Sequence, residues 1–183
     1  MRRQPSWPIN IGMTRCLIAY YSWTGHTAEI ADALAQALSA DLEEIKDAKP
    51  RGGVFAYIGS AWQALVNTTP PIAPTKAHVA DYDLVVLGSP VWVQNIAAPM
   101  RTYIAENKAG IKSVAAFCTE GGAGAGKAIA KIAALCGQPL RATLVITERE
   151  LKSGTWREAV ARFAGNLKAQ PPAAPAATAG ASA

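Results

Sequence analysis

The chain has 183 residues, half of them hydrophobic and 17% charged, which suits one compact domain with a core that needs no disulfide or metal staple and excludes a disordered polypeptide. Apolar runs as short as Leu84–Leu87 exclude membrane insertion by a spanning helix, which takes about 20 residues. The net charge of +5 is dispersed rather than gathered into a basic run, which argues against a nucleic-acid partner.

The opening MRRQPSWPINIGM carries two arginines but no apolar stretch of signal-peptide type, so residues 1–13 are expected to be an N-terminal extension, with Met13 as an alternative start. Residues 15–21 (RCLIAYY) form an apolar run of strand formers that ends at a turn-like SWTG. Ile30, Ala31, Leu34, Ala35 and Leu38 then recur at helical spacing, which predicts an amphipathic helix over 25–39. Asp41–Ile45 reads as a short strand, Pro50–Gly53 as a break, and 55–66 as a helix. After the irregular NTTPPIAPT, the run Tyr82–Gly88 is a central strand, followed by a loop, SPVWVQNIA.

A helix is predicted over Ala98–Asn107, with Pro99 in the first turn where its missing N–H costs little. Val114–Thr119 is a strand, GGAGAG a loop, and 127–136 a helix stopped by Gly137. Residues 141–147 make a fifth strand and 154–168 a last helix; the uncharged, small-residue tail 169–183 is expected to be disordered. Continuous apolar strands alternating with helices predict a parallel sheet covered on both faces, one domain over residues 14–168. Such sheets bind ligands at the C-terminal strand edges. Three cysteines (Cys16, Cys118, Cys136) with no CxxC pair fit a reducing, cytoplasmic setting, and His26 and His78 lie too far apart to start a metal site, so no metal is expected.

Three loops fall at those edges. Ser22-Trp23-Thr24-Gly25-His26-Thr27 offers three hydroxyls, a glycine and the open N–H groups of a helix start, and no Lys or Arg. That combination suits a phosphate held by neutral donors; plain helix capping is the alternative. In Ser89-Pro90-Val91-Trp92-Val93, Trp92 either stacks on a planar heterocycle or closes the sheet end. Thr119-Glu120-Gly121-Gly122 opens a Gly-rich stretch that reaches Lys127 and nearly spells a P-loop, but Ala128 stands where the Mg²⁺-binding hydroxyl belongs. No acidic residue follows at the place that a dinucleotide fingerprint requires. A wall of backbone N–H groups is the better reading.

Taken together, Tyr21–Thr27, Gly88–Asn95 and Thr119–Gly122 resemble the three cofactor loops of the flavodoxin family: the (S/T)-x-T-G-x-T phosphate loop, the segment that packs on the isoalloxazine ring, and the loop along the pyrimidine edge. His26 departs from the Asn common there. The resemblance covers about residues 14–168 and implies a doubly wound five-stranded parallel sheet of order 2-1-3-4-5, in three layers. It implies FMN as cofactor, with Ser22, Trp23, Thr24, Gly25, His26, Thr27, Ser89, Pro90, Val91, Trp92, Val93, Thr119, Glu120, Gly121 and Gly122 around it. It further implies a redox function. One version is NAD(P)H-linked reduction of a quinone-like acceptor. The alternatives are a one-electron carrier that works with a redox partner protein, or a module that has lost FMN.

Two features favour the reductase. Carriers in the family place a Gly-containing turn after the third strand; Val91–Val93 has no Gly, and positive φ is costly for β-branched residues, so such a turn is not expected here. Carriers are also typically acidic, whereas this chain is basic. Glu120 would lower the flavin potential by repulsion or else form a surface ion pair. Tyr57, Trp62 and Tyr103 either line a pocket or pack between helices, and no catalytic acid or base is assigned.

Overall fold

The computed structural model of the chain describes residues 15–48 and 69–170. The strands are β1 (Cys16–Tyr20), β2 (Asp41–Glu44), β3 (Leu84–Trp92), β4 (Asn95–Ile96), β5 (Val114–Glu120) and β6 (Thr143–Thr147). The helices are α1 (His26–Leu38), α2 (Ala98–Asn107), α3 (Ala125–Cys136), α4 (Glu148–Ser153) and α5 (Trp156–Ala169), with short 3₁₀ turns at Val79–Asp81 and Lys108–Gly110. The five long strands are parallel in the order β2-β1-β3-β5-β6, and β4 folds back antiparallel on the end of β3. Leaving the two-residue β4 aside, this is the expected 2-1-3-4-5 sheet.

Strand alternation sorts the core onto two faces. On β1, Leu17 and Ala19 join one cluster with Met100, Tyr103 and Ile104 of α2 and Ala128 and Ile132 of α3. Cys16, Ile18 and Tyr20 join the other, with Ile30 and Leu34 of α1 and Trp156, Val160 and Phe163 of α5. All five residues of β1 are buried, which is why its sequence shows no polar alternation. Gly88 on β3 is the point of closest approach: a Cβ there would lie 2.2 Å from the Phe117 ring and 2.9 Å from Tyr20 Cβ.

The end of β3 differs from the expected loop. The strand runs on through Ser89, Pro90, Val91 and Trp92, then turns at Val93–Gln94 into β4. Proline normally argues against a central strand because it cannot donate. Here Tyr21 N–H donates to the Gly88 carbonyl, the last rung with the β1 side, and Val85 N–H donates to Ser113 on the β5 side. Backbone groups alternate along a strand. Pro90 therefore turns its missing N–H toward the side where β1 has already ended, while it stays in register with Thr119 of β5.

The turn itself corrects the backbone expectation. Val93 and Gln94 both have positive φ, 48° and 61°. Two positive φ values in a two-residue hairpin loop are the mark of a type I′ turn, whose twist matches that of the flanking strands. Hairpin geometry overrides the reluctance of a β-branched residue.

Further along, Thr147 opens α4 with a capping box that the pattern reading missed, and α5 extends to Ala169. The expected extension over 1–13, the helix over 55–66 with Tyr57 and Trp62, and the tail beyond 170 lie outside the described residues. No helix among the described residues is long and apolar enough to cross a membrane.

Candidate functional site

The loops after β1, β3 and β5 meet at one edge of the sheet. Gly25 precedes α1 with φ +93° and nothing within 4 Å of where a Cβ would sit. This left-handed step, easy only for glycine, swings the chain into the helix. Glu29 N–H donates to the Gly25 carbonyl and Ala28 N–H to Ser22 Oγ at 3.2 Å. The amides of His26 and Thr27 find no acceptor among the described residues, and neither does the exposed Thr24 hydroxyl. Ser22 accepts from the helix, which leaves its own proton free to donate.

Thr27 has a different position from Thr24. It is buried, and its hydroxyl lies 2.9 Å from that of Thr119, also buried, at the end of β5. That bond ties the first loop to the third. Beyond Thr119, Glu120 accepts from Ala125 N–H at 2.9 Å, so its carboxylate caps α3; it makes no ion pair with a described residue. Gly121, Gly122 and Ala123 are exposed.

The hairpin supplies the aromatic wall. Trp92 packs edge-on between Tyr21 and Trp23, with ring centroids 5.8 Å and 6.1 Å away. Both indoles are partly buried, and Val93 at the turn is 56% exposed. Tyr21 is anchored in turn, its hydroxyl donating to Asp47 at 3.0 Å. The turn is pinned to α3: Lys127 Nζ donates to Gln94 at 2.5 Å, and a Cβ on Gly124 would lie 2.7 Å from Gln94 Cα. The lysine that suggested a P-loop thus holds the hairpin.

The comparison with known families agrees with this geometry. The family model described as flavodoxin covers residues 15–144. The chain belongs to the flavodoxin family. Among solved structures, the fold resembles a flavoprotein in complex with FMN from Lactobacillus acidophilus NCFM, with a TM-score of 0.65 and 23% identity over 78% of this chain and 99% of that one. It also resembles a flavodoxin, WrbA-like protein from Agrobacterium tumefaciens, with a TM-score of 0.52 and 14% identity over 86% of this chain and 99% of that one. A curated relative, an NAD(P)H dehydrogenase (quinone) of Cupriavidus metallidurans, is 28% identical over 92 residues. That match takes in 50% of this chain and 46% of the relative, so the chain spans less than half the length of the curated relative it matches.

Within this flavodoxin fold the fifteen candidate residues divide by position. Thr24, Gly25, His26, Val93, Gly121 and Gly122 are exposed around the edge, and Ser22, Trp23, Pro90, Val91, Trp92 and Glu120 are partly so. Ser89 does not reach it: fully buried, its hydroxyl accepts from Ala97 N–H at 3.0 Å and donates to the Pro90 carbonyl at 2.9 Å, bracing the hairpin. Thr27 and Thr119 are committed to each other. Sequence reasoning placed Tyr21 and Gln94 in these loops and Lys127 at the end of the Gly-rich stretch but gave none of them a site role, since those roles depend on contacts across the fold. It missed α4, whose Thr147-x-x-Glu150 signature was there to be read.

Titratable groups at this edge are few. Burial pushes the Cys118 thiol up to about 12, with a smaller push from Glu120, so it is no thiolate nucleophile at neutral pH. The Lys152 ammonium, which bonds Glu148 at 2.7 Å, holds that carboxyl below its ordinary range, with a smaller contribution from His26. A Cβ on Gly121 would lie 3.4 Å from a Glu148 carboxylate oxygen, so α4 borders the Gly121 side of the site.

Proposed function

We propose that the chain binds FMN at this edge and uses it in NAD(P)H-linked reduction of a quinone-like acceptor. The observation that carries the first half is the start of α1. A 13-residue helix begins there with two amides, the Thr24 hydroxyl and the Ser22 proton uncommitted, and with no Lys or Arg between residues 22 and 27. Such a helix start favours an anion through its open donors and its dipole. The donor set fits a phosphate monoester: neutral, convergent and reached past a glycine that presents no side chain.

Ser22, Thr24, Gly25, His26 and Thr27 would hold the phosphate by their side chains or backbone amides. Trp92 and Trp23, set edge to face, would offer their indole surfaces to the flavin ring, and the exposed backbone of Gly121 and Gly122 its polar rim. FMN, when bound, supplies the electron-transfer chemistry; the protein supplies position and electrostatics. Ser89 takes no part in this reading.

The second half draws on the curated relative and on charge. A net charge of +5 suits an anionic reductant better than the basic partners that acidic carriers meet. The absence of a positive-φ turn after β3 no longer counts for it, since Val93 and Gln94 form one. Three unpaired, buried cysteines fit a reducing compartment such as the cytoplasm.

Titration of the purified protein with FMN and with riboflavin tests the site. FMN binds more tightly than riboflavin, and Thr24→Ala narrows that difference while leaving riboflavin affinity unchanged. Equal affinity for the two flavins overturns the phosphate assignment. Anaerobic addition of NADPH or NADH to the FMN-loaded protein then tests the reaction: bleaching by nucleotide alone supports a reductase, and bleaching only after a separate reductase is added makes the protein a carrier.

A further inference from the structure

Next to the Gly121 loop, α4 borders a shallow, solvent-open cavity of about 510 Å³ lined by Gly121, Glu148, Arg149, Lys152 and Ser153. Its charges are unequally satisfied. Lys152 is paired with Glu148 at 2.7 Å. Ser153 is engaged too, donating to the Glu150 carbonyl and sharing a hydrogen bond with Thr155. Arg149 is exposed and has no ion-pair or hydrogen-bond partner among the described residues. The cavity therefore holds one charge-balanced pair and one uncompensated guanidinium, with its other side formed by the loop that borders the proposed cofactor edge.

We infer that this cavity receives the 2′-phosphate of NADPH, with Arg149 as the principal contact and Lys152 as a second cation. This rests on the reductase reading and adds the choice of nucleotide to it. A guanidinium offers a planar fork of donors that matches two phosphate oxygens at once, and such charge-assisted bonds are about twice as strong as neutral ones. NADH carries a neutral hydroxyl at that position and gains nothing from the fork. A dianion also competes with Glu148 for Lys152, so a bound phosphate draws Lys152 toward itself. The shared residue Gly121 gives the geometric logic: a dinucleotide with its phosphate-bearing end in the cavity leaves along the Gly121 loop toward the flavin edge.

The test needs no electron transfer. Calorimetry on the oxidised, FMN-loaded protein compares adenosine 2′,5′-bisphosphate with 5′-AMP, which differ only in the 2′-phosphate. The bisphosphate binds about tenfold more tightly; Arg149→Gln removes most of that difference, Lys152→Gln part of it, and neither changes 5′-AMP binding or the melting temperature. Equal affinity of the two probes overturns the inference, as does an Arg149→Gln protein that keeps the difference. A third overturning result is an Arg149→Gln protein that loses affinity for FMN but not for riboflavin, since Arg149 would then serve the flavin's own phosphate. A protein that neither NADPH nor NADH reduces, but that holds the bisphosphate through Arg149, keeps the cavity assignment and loses only the reductase reading.

Discussion

Thr27 and Thr119 stand 92 positions apart in the chain, and their hydroxyls meet at 2.9 Å inside the protein. The pair fixes the first turn of α1 against the end of β5, and hence one predicted cofactor loop against another. A buried hydroxyl that loses its partner costs about 1–3 kcal/mol, whereas removal of both leaves an apolar contact of similar shape. Thr27→Val and Thr119→Val should each destabilise the protein by that amount, and the double variant by less than their sum. Chemical denaturation of the four proteins gives the coupling. Strict additivity would show that the two hydroxyls do not depend on each other.

The hairpin at Val93–Gln94 stores strain in the opposite sense, since it favours residues that this sequence lacks. Left-handed backbone costs an ordinary L-residue roughly 1–2 kcal/mol, and type I′ turns select Asn and Gly. Val93 is exposed at the tip, so its replacement removes little packing. Val93→Asn should raise the melting temperature of the apoprotein, by the equivalent of about 1 kcal/mol. A lower melting temperature would mean that the valine side chain holds a contact worth more than its backbone strain.

Much of this was legible in the sequence, and the reasons differ by element. Parallel strands buried on both faces announce themselves as unbroken apolar runs, so β1, β3 and β5 were visible from Cys16, Leu84 and Val114 onward. The helix α1 was visible for a different reason, the recurrence of apolar residues from Ile30 to Leu38 at helical spacing. The continuation of β3 was hidden by Pro90, whose harmlessness depends on where β1 stops, a fact of tertiary structure. Ser89, Thr27 and Glu120 sat in the right loops, yet a hydroxyl or carboxylate gives no sign in sequence of whether it faces a ligand or its own backbone. Only the fold shows Ser89 bracing the hairpin and Glu120 capping α3.

Gly88 is held by its neighbours rather than by its backbone angles. An added Cβ would fall 2.2 Å and 2.4 Å from two atoms of the Phe117 ring, a rigid side chain in the middle of β5. Overpacking of this kind typically costs about 1–3 kcal/mol. Gly88→Ala should therefore lower stability by at least that range, and Phe117→Leu in the same chain should recover part of the loss. Urea denaturation of both singles and the double decides it: a double variant as unstable as the summed singles would place the clash elsewhere.

The cap at the start of α4 gives the protein a pH dependence of known sign. Thr147 N–H and hydroxyl donate to Glu150 at 2.8 Å and 2.7 Å, and Glu150 N–H donates to Thr147 Oγ1 at 3.3 Å. These bonds to the Thr147 backbone and side chain hold the Glu150 carboxyl below its ordinary range. A carboxylate lowered in the folded state stabilises it above the ordinary value, about 4.3, and loses that effect as pH falls through the lower folded value. The stability gap between the wild type and Glu150→Gln should thus be open at neutral pH and close on acidification below that range; a gap constant with pH would mean that the carboxylate's charge plays no part. Thr147→Ala removes the cap itself, at a cost of about 0.5–2 kcal/mol. Because α4 carries Arg149 and Lys152, the same substitution should also weaken binding of adenosine 2′,5′-bisphosphate although Thr147 does not line the cavity, and calorimetry at neutral pH would register it.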